Sequence, residues 1–393
     1  VSRVAPALSK YENVPGYQGS TLMAGAGVSQ TTDIVSGPRA SAGFQSFANA
    51  LAASVRRHRF IHALALATLV LGILVGMLTG NQPDVGIVGE YGFYIACALW
   101  IGGSAGATLY VVWLAAFARD SAPLRTFFRG ILRSFSNAER WANGLNGIFA
   151  FVVFAAGFSV LKGAITYFAP FSWDRWLADT GQWLHFGRHP YELLDWFVES
   201  PLAIAIVNFL YNLWFVVVLG TTFSVCITER DTRLRHTYLL SFMLLWLVGG
   251  FFIAMGFSSA GPCYYARLDL GDRYQPLMDA LERANQLYSI SALSTQDMLW
   301  SGYKGLRNGN LGISAFPSLH VGTAVLIAIY ATARSRIVGV AAWAFALAIA
   351  IGSVALGWHY ALDAYGGGLV AVAAWCVVRA TVHRWTPRAL AAR

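Results

Sequence analysis

The chain has 393 residues, of which 56% are hydrophobic and only 12% charged, and its mean hydropathy is +0.53. Soluble domains carry about a quarter charged residues, so this composition excludes an ordinary soluble globular protein and predicts an integral membrane one. The formal charge of +9 comes almost wholly from arginine, the lysines being Lys10, Lys162 and Lys304. It reads as loop bias in a membrane protein, and no nucleic-acid partner is expected. Cys97, Cys226, Cys263 and Cys376 are scattered without a C-x-x-C pair, so neither a metal site nor a disulfide framework is expected.

Residues 1–55 are rich in Ser, Gly, Ala, Pro and Thr and lack periodicity, which predicts a disordered cytoplasmic tail. They carry no short apolar core of a signal peptide. Arg56, Arg57 and Arg59 stand directly before the first long apolar run, as they would for a signal-anchor helix. A spanning helix needs about 20 apolar residues. Eight segments qualify: 60–80, 91–117, 145–169, 202–227, 237–258, 316–333, 337–356 and 359–378. The fold class is therefore all-α, a polytopic membrane bundle of about eight helices. Residues 56–258 form its N-terminal helices. Within them, 171–197 mixes Trp173, Trp176, Trp183 and Trp196 with Asp, Arg and His, and is expected to lie at the membrane surface.

Arginines crowd one set of connections: 119–140, 228–236, Arg334 and Arg336, and the 381–393 tail with Arg384, Arg388 and Arg393. The opposite set holds fewer cations over longer loops, and 170–200 carries five acids against Arg175 and Arg188. The positive-inside rule then puts both termini in the cytoplasm. Under that orientation His320 and His359 both start their helices at the non-cytoplasmic face, beneath the long loop 259–315. Among weaker features, Lys162 is expected to snorkel to the interface. Asn208 and Asn212 are expected to hydrogen-bond between helices, and Gly102, Gly103 and Gly106 to permit close packing.

Two short motifs carry chemistry. In "HYALD", His359 and Asp363 are four apart, one turn on one helix face. The carboxylate can fix one ring nitrogen and leave the other as base or nucleophile. The plainer alternative is a buried polar pair joining two helices. In "PSLH", Pro317 suits a helix's first turn, and Ser318 and His320 lie where backbone N–H groups favour an anion such as phosphate. There His320 can bond a ligand or donate a proton; the plainer alternative is an ordinary helix start. Ionisable groups in membrane helices are a functional hypothesis by default.

Together the motifs resemble the type-2 phosphatidic acid phosphatase (PAP2) superfamily, whose pattern is K-x6-R-P, then P-S-G-H, then S-R-x5-H-x3-D. Here "PSLH" stands at Pro317–His320 and "HYALD" at His359–Asp363, and the resemblance covers roughly 255–380. Leu319 replaces the glycine, Ser353 stands where the third-motif arginine would be, and no K-x6-R-P occurs. In these departures, and in "SSAGPCYYARL" from Ser258 to Leu268, the chain looks like the branch with fungal inositol phosphorylceramide synthase and its bacterial relatives. The resemblance implies a PAP2-like catalytic region over 259–380 in a bacterial inner-membrane enzyme whose site faces outward. It implies His359 as the nucleophile forming a phosphohistidine, Asp363 as its partner and His320 as the proton donor. The substrate would be a lipid phosphate in the bilayer, with no cofactor. Cations for the phosphate would come from Arg267, Lys304 or Arg307, beside Ser318.

Three readings follow. The first is a lipid phosphatase or phosphotransferase, with water or an alcohol as acceptor. The second is a proton-coupled transporter, which would show repeats and midplane charges. The third is an inactive lipid-binding relative.

Overall fold

The computed structural model describes residues 38–80, 100, 103–104, 106–135, 137–306 and 312–385. The chain divides into Val1–Gly43 and Phe44–Arg393, and the architecture below is that of the second unit. Among the described residues every regular element is helical. In chain order they are α1 (Pro38–Arg57), α2 (Arg59–Thr79), α3 (Gly106–Ala116), α4 (Pro123–Phe135), α5 (Ala138–Phe168), α6 (Asp174–Leu184), α7 (Asp195–Val198) and α8 (Pro201–Thr228). There follow α9 (Thr232–Gly256), α10 (Gln275–Leu287), α11 (Ser291–Tyr303), α12 (Leu319–Arg334), α13 (Arg336–Ala355) and α14 (Ala361–Trp385).

Among the described residues six helices, α2, α5, α8, α9, α13 and α14, are long and apolar enough to cross a membrane. The other two expected spans are met differently. Of 91–117, residues 91–99, 101–102 and 105 lie outside the described residues, and α3 is its continuous described helix. The segment 316–333 becomes the apolar but 16-residue α12, because Ser318 caps the helix and the chain before it is extended. Helix α1 begins inside the segment expected to be a disordered tail; the Ala-rich run from Ala40 to Ala53 favours helix. Of the glycines expected to allow close packing, Gly102 lies outside the described residues. Gly103 and Gly106 face open space. The close approach is instead between α2 and α5, where a Cβ on Gly72 would lie 2.6 Å from the Gly157 carbonyl oxygen.

Segment 171–197 forms α6, a short turn of helix at Glu192–Leu194 and most of α7. Trp176, Trp183 and Trp196 are exposed, whereas Leu177 and Ala178 of α6 are buried in a cluster with Tyr191, Tyr265, Tyr274 and Tyr360. Asn208 and Asn212 do join helices: Asn208 Oδ1 accepts from Ala292 N at 3.2 Å, and Asn212 Nδ2 donates to Ser291 Oγ at 2.9 Å. These bonds fasten the α10–α11 cap to α8.

The last three helices position the site. Arg334 to Arg336 turns α12 back into α13, and α14 returns across both. Gly322 on α12 and Gly367 on α14 let the two backbones touch, since a Cβ on Gly367 would sit 2.2 Å from the Ser318 oxygen. Opposite α12, Leu245–Ile253 of α9 is wound as a π-helix, a form that recurs at functional sites.

Candidate active site

Ser318, not Pro317, begins the "PSLH" helix. Its side chain accepts from Val321 N at 3.3 Å as an N-cap, the position serine favours. Pro317 precedes the cap. The Ser318 N–H donates to the Asp363 carbonyl oxygen at 2.8 Å, so the two motifs are bonded backbone to backbone. The N–H groups of Leu319 and His320 occupy the first turn, where no intrahelical acceptor exists. They are the part of this helix start that can meet an anion.

His359 lies just before α14 rather than on it, and Asp363 lies in the first turn. Asp363 is 0% exposed and His359 7%. The His359 Nδ1 is 2.9 Å from the Ala315 carbonyl oxygen and 3.4 Å from Asp363 Oδ2. Both partners are acceptors, so Nδ1 carries the proton and Nε2 keeps its lone pair. The nearer partner is the carbonyl, which sequence spacing could not reveal. Asp363 Oδ2 also accepts from Tyr360 N at 2.8 Å, fixing the turn that presents His359.

His320 faces His359 with ring centroids 6.1 Å apart. Three aromatic residues of α8 hold it: Tyr211 stacks at 4.6 Å and 18°, Trp214 lies at 4.2 Å, and Phe215 meets it edge-on at 6.0 Å. Trp214 Nε1 also donates to the His320 carbonyl oxygen at 2.9 Å.

The cations fall differently from expectation. Arg267 is exposed, pairs with Asp297 and stacks near Tyr264 and Trp300. Lys304 is exposed beside Trp300. Arg307 lies outside the described residues. Lys162 of α5, expected to snorkel, is half-buried, and its charge bears on His320. Its carbonyl sits under Gly312, where a Cβ would lie 2.1 Å away; Gly312 has φ +77°, so glycine is needed there. Among the described residues its ammonium forms no ion pair or hydrogen bond. A signal for it was present: Lys162 stands in K-x6-A-P, ending at Pro170, with Ala169 at the arginine position of the K-x6-R-P pattern.

Sequence reasoning also missed Asp174, the first residue of α6. It is 1% exposed and accepts from Ala260 N at 2.9 Å, Gly261 N at 2.8 Å and Tyr360 Oη at 2.9 Å. Burial holds its carboxyl above the ordinary aspartate range, and these hydrogen bonds oppose that shift. The segment "SSAGPC" is laced around it. Ser259 O accepts from Ala315 N at 2.8 Å, Ser259 Oγ from Phe316 N at 3.1 Å, and Gly357 O from Cys263 N at 2.9 Å. The segment thus clamps the chain ahead of both histidines.

The departures have local reasons. Leu319 lies over Gly250 of the π-helix, where a Cβ would come within 2.7 Å of Leu319 Cδ1. Ser353 is fully buried, its Oγ bonded to Ala350 O at 2.8 Å and its carbonyl to His359 N at 3.0 Å. Among the described residues no cluster of three His, Cys, Asp or Glu side chains suits a metal.

A family model described as the PAP2 superfamily matches residues 175–377. No curated protein and no solved structure matches the chain.

Proposed function

The chain belongs to the PAP2 superfamily, and on that premise we propose that it transfers the phosphoryl group or phospho-headgroup of a lipid phosphate through His359. Family membership and six apolar helices are consistent with a membrane phosphatase. The observation that carries the finer reading is the pair of acceptors on His359 Nδ1, which leaves Nε2 as a nucleophile facing His320.

In this mechanism Nε2 attacks phosphorus and the bond to the leaving oxygen breaks. Asp363 and the Ala315 carbonyl stabilise the imidazole as it gains positive charge. His320 gives its proton to the leaving oxygen. Water or a lipid alcohol, deprotonated by the now neutral His320, then attacks the phosphohistidine and restores the free imidazole. Lys162, Ser318 and the Leu319 and His320 N–H groups neutralise the non-bridging oxygens, as phosphoryl transfer requires. Lys162 takes the part that Arg267, Lys304 and Arg307 were expected to play.

The chemistry needs no further group, so no cofactor is proposed. The arginine bias supports both termini in the cytoplasm and a site opening at the outer face of a bacterial inner membrane, within a bundle of about eight spans. The test offers purified protein and His359→Ala a panel of lipid phosphates, with and without an alcohol. Free phosphate that disappears in the variant assigns a phosphatase. A new phospholipid that disappears assigns a phosphotransferase. Activity that survives the substitution contradicts the proposal.

A further inference from the structure

Tyr211 sits inside α8 with 6% of its surface exposed, and its hydroxyl is buried without a hydrogen-bond partner. An unpaired buried hydroxyl is costly, and phenylalanine would fill the same volume without that cost. The other buried tyrosines show how the fold treats such groups. Tyr238 pairs with Thr222, Tyr264 donates to the Gln296 carbonyl, Tyr360 to Asp174 and Tyr191 to the Arg273 carbonyl. Tyr265 is also unpaired, but it packs with Tyr274 and Leu277 in the outer aromatic cluster. Tyr211 instead lies face to face with His320 at 4.6 Å. Asp363 and Cys263 are the titratable groups that bear on its hydroxyl. The ring packs close to Gly352, where a Cβ would come within 3.2 Å of Tyr211 Cδ2.

We infer that the Tyr211 hydroxyl is a substrate-contacting donor, which bonds a non-bridging oxygen of the phosphoryl group held between His320 and His359. The inference rests on the phosphoryl-transfer reading of this site. A neutral phenol complements Lys162: one group offers charge, the other a directed hydrogen bond. Together they replace donors that the family pattern takes from arginine, whose third-motif position is held here by buried Ser353.

The test compares wild type, Tyr211→Phe and His359→Ala on one lipid phosphate substrate, with inhibition by orthovanadate as a five-coordinate phosphoryl mimic. Phenylalanine keeps the stack on His320 and removes only the hydroxyl. The expected result is a fall in kcat/KM of about 10- to 100-fold, the range for a hydrogen bond to a charged oxygen. Vanadate inhibition should weaken in parallel, and the thermal midpoint should be unchanged or raised, because an unpaired buried hydroxyl has gone. Wild-type kcat/KM in Tyr211→Phe alongside an inactive His359→Ala overturns this inference alone. Loss of activity together with a lowered thermal midpoint assigns Tyr211 a structural role and also overturns it. An active His359→Ala overturns the underlying reading as well.

Discussion

The backbone N–H of Ser318 donates to the carbonyl oxygen of Asp363 at 2.8 Å, so the two helix starts that carry the histidines are held as one unit. The bond forms because α12 and α14 approach through glycine, with Gly367 directly against the Ser318 oxygen. Gly367→Ala should therefore misplace both motifs. Overpacking of this kind costs about 1–3 kcal/mol. A lowered thermal midpoint with a large loss of kcat is the expected result, and differential scanning with steady-state kinetics checks it.

Leu319 and Gly250 should be energetically coupled. Gly250→Ala drives a Cβ into Leu319 Cδ1 and the Phe158 ring. Leu319→Ala leaves a cavity, a change that costs about 2–5 kcal/mol in soluble cores. The double variant should be less destabilised than the sum of the two singles, only partly, since the Phe158 contact remains. Denaturation of all four proteins in one detergent measures the coupling. Strict additivity would contradict the contact.

Lys162 should matter to catalysis more than to folding. Its ammonium has no protein partner among the described residues, so Lys162→Met should leave the protein at least as stable. It should nevertheless lower kcat/KM by about 100-fold or more, as expected for losing a cation on a phosphoryl oxygen. Arg267→Ala should change kcat/KM little, because that side chain is exposed and paired with Asp297. A reversal of the two effects would return the phosphate to the loop that carries Arg267.

Asp174→Asn tests the clamp around "SSAGPC". The amide keeps one acceptor oxygen and turns its other end into a donor facing backbone N–H groups. With Ala260, Gly261 and Tyr360 competing for one oxygen, a loss of about 1.5–3 kcal/mol is expected. Hydrogen exchange should rise at Ala260 and Gly261 first. Unchanged protection at those amides would show that the carboxylate does not hold the loop.

The sequence made the long helices legible because apolar length is a strong signal. It also made His320, His359 and Asp363 legible, since charge at the mouth of an apolar run stands out. The missing parts are those that depend on distant chain segments meeting. The Ala315 carbonyl on His359 Nδ1 leaves no trace in residue identity. Asp174 looked like one acid among several in an interfacial stretch, although it is buried under the loop ahead of "PSLH". Lys162 was passed over as a phosphate ligand because proximity in sequence favoured the loop cations, whereas α5 holds it half-buried and without an ion pair among the described residues. Gly72 and Gly157 could not be picked out from 39 glycines without knowing that α2 lies on α5.

The central claim is that phosphate passes through His359. The most direct measurement is a rapid quench of the enzyme with a lipid phosphate substrate, followed by mass spectrometry of peptides under alkaline conditions that preserve phosphohistidine. A phosphoryl adduct on the His359 peptide, forming and decaying within the turnover time and missing in His359→Ala, is the predicted result. Turnover without any adduct, or an adduct on a different residue, would contradict the account.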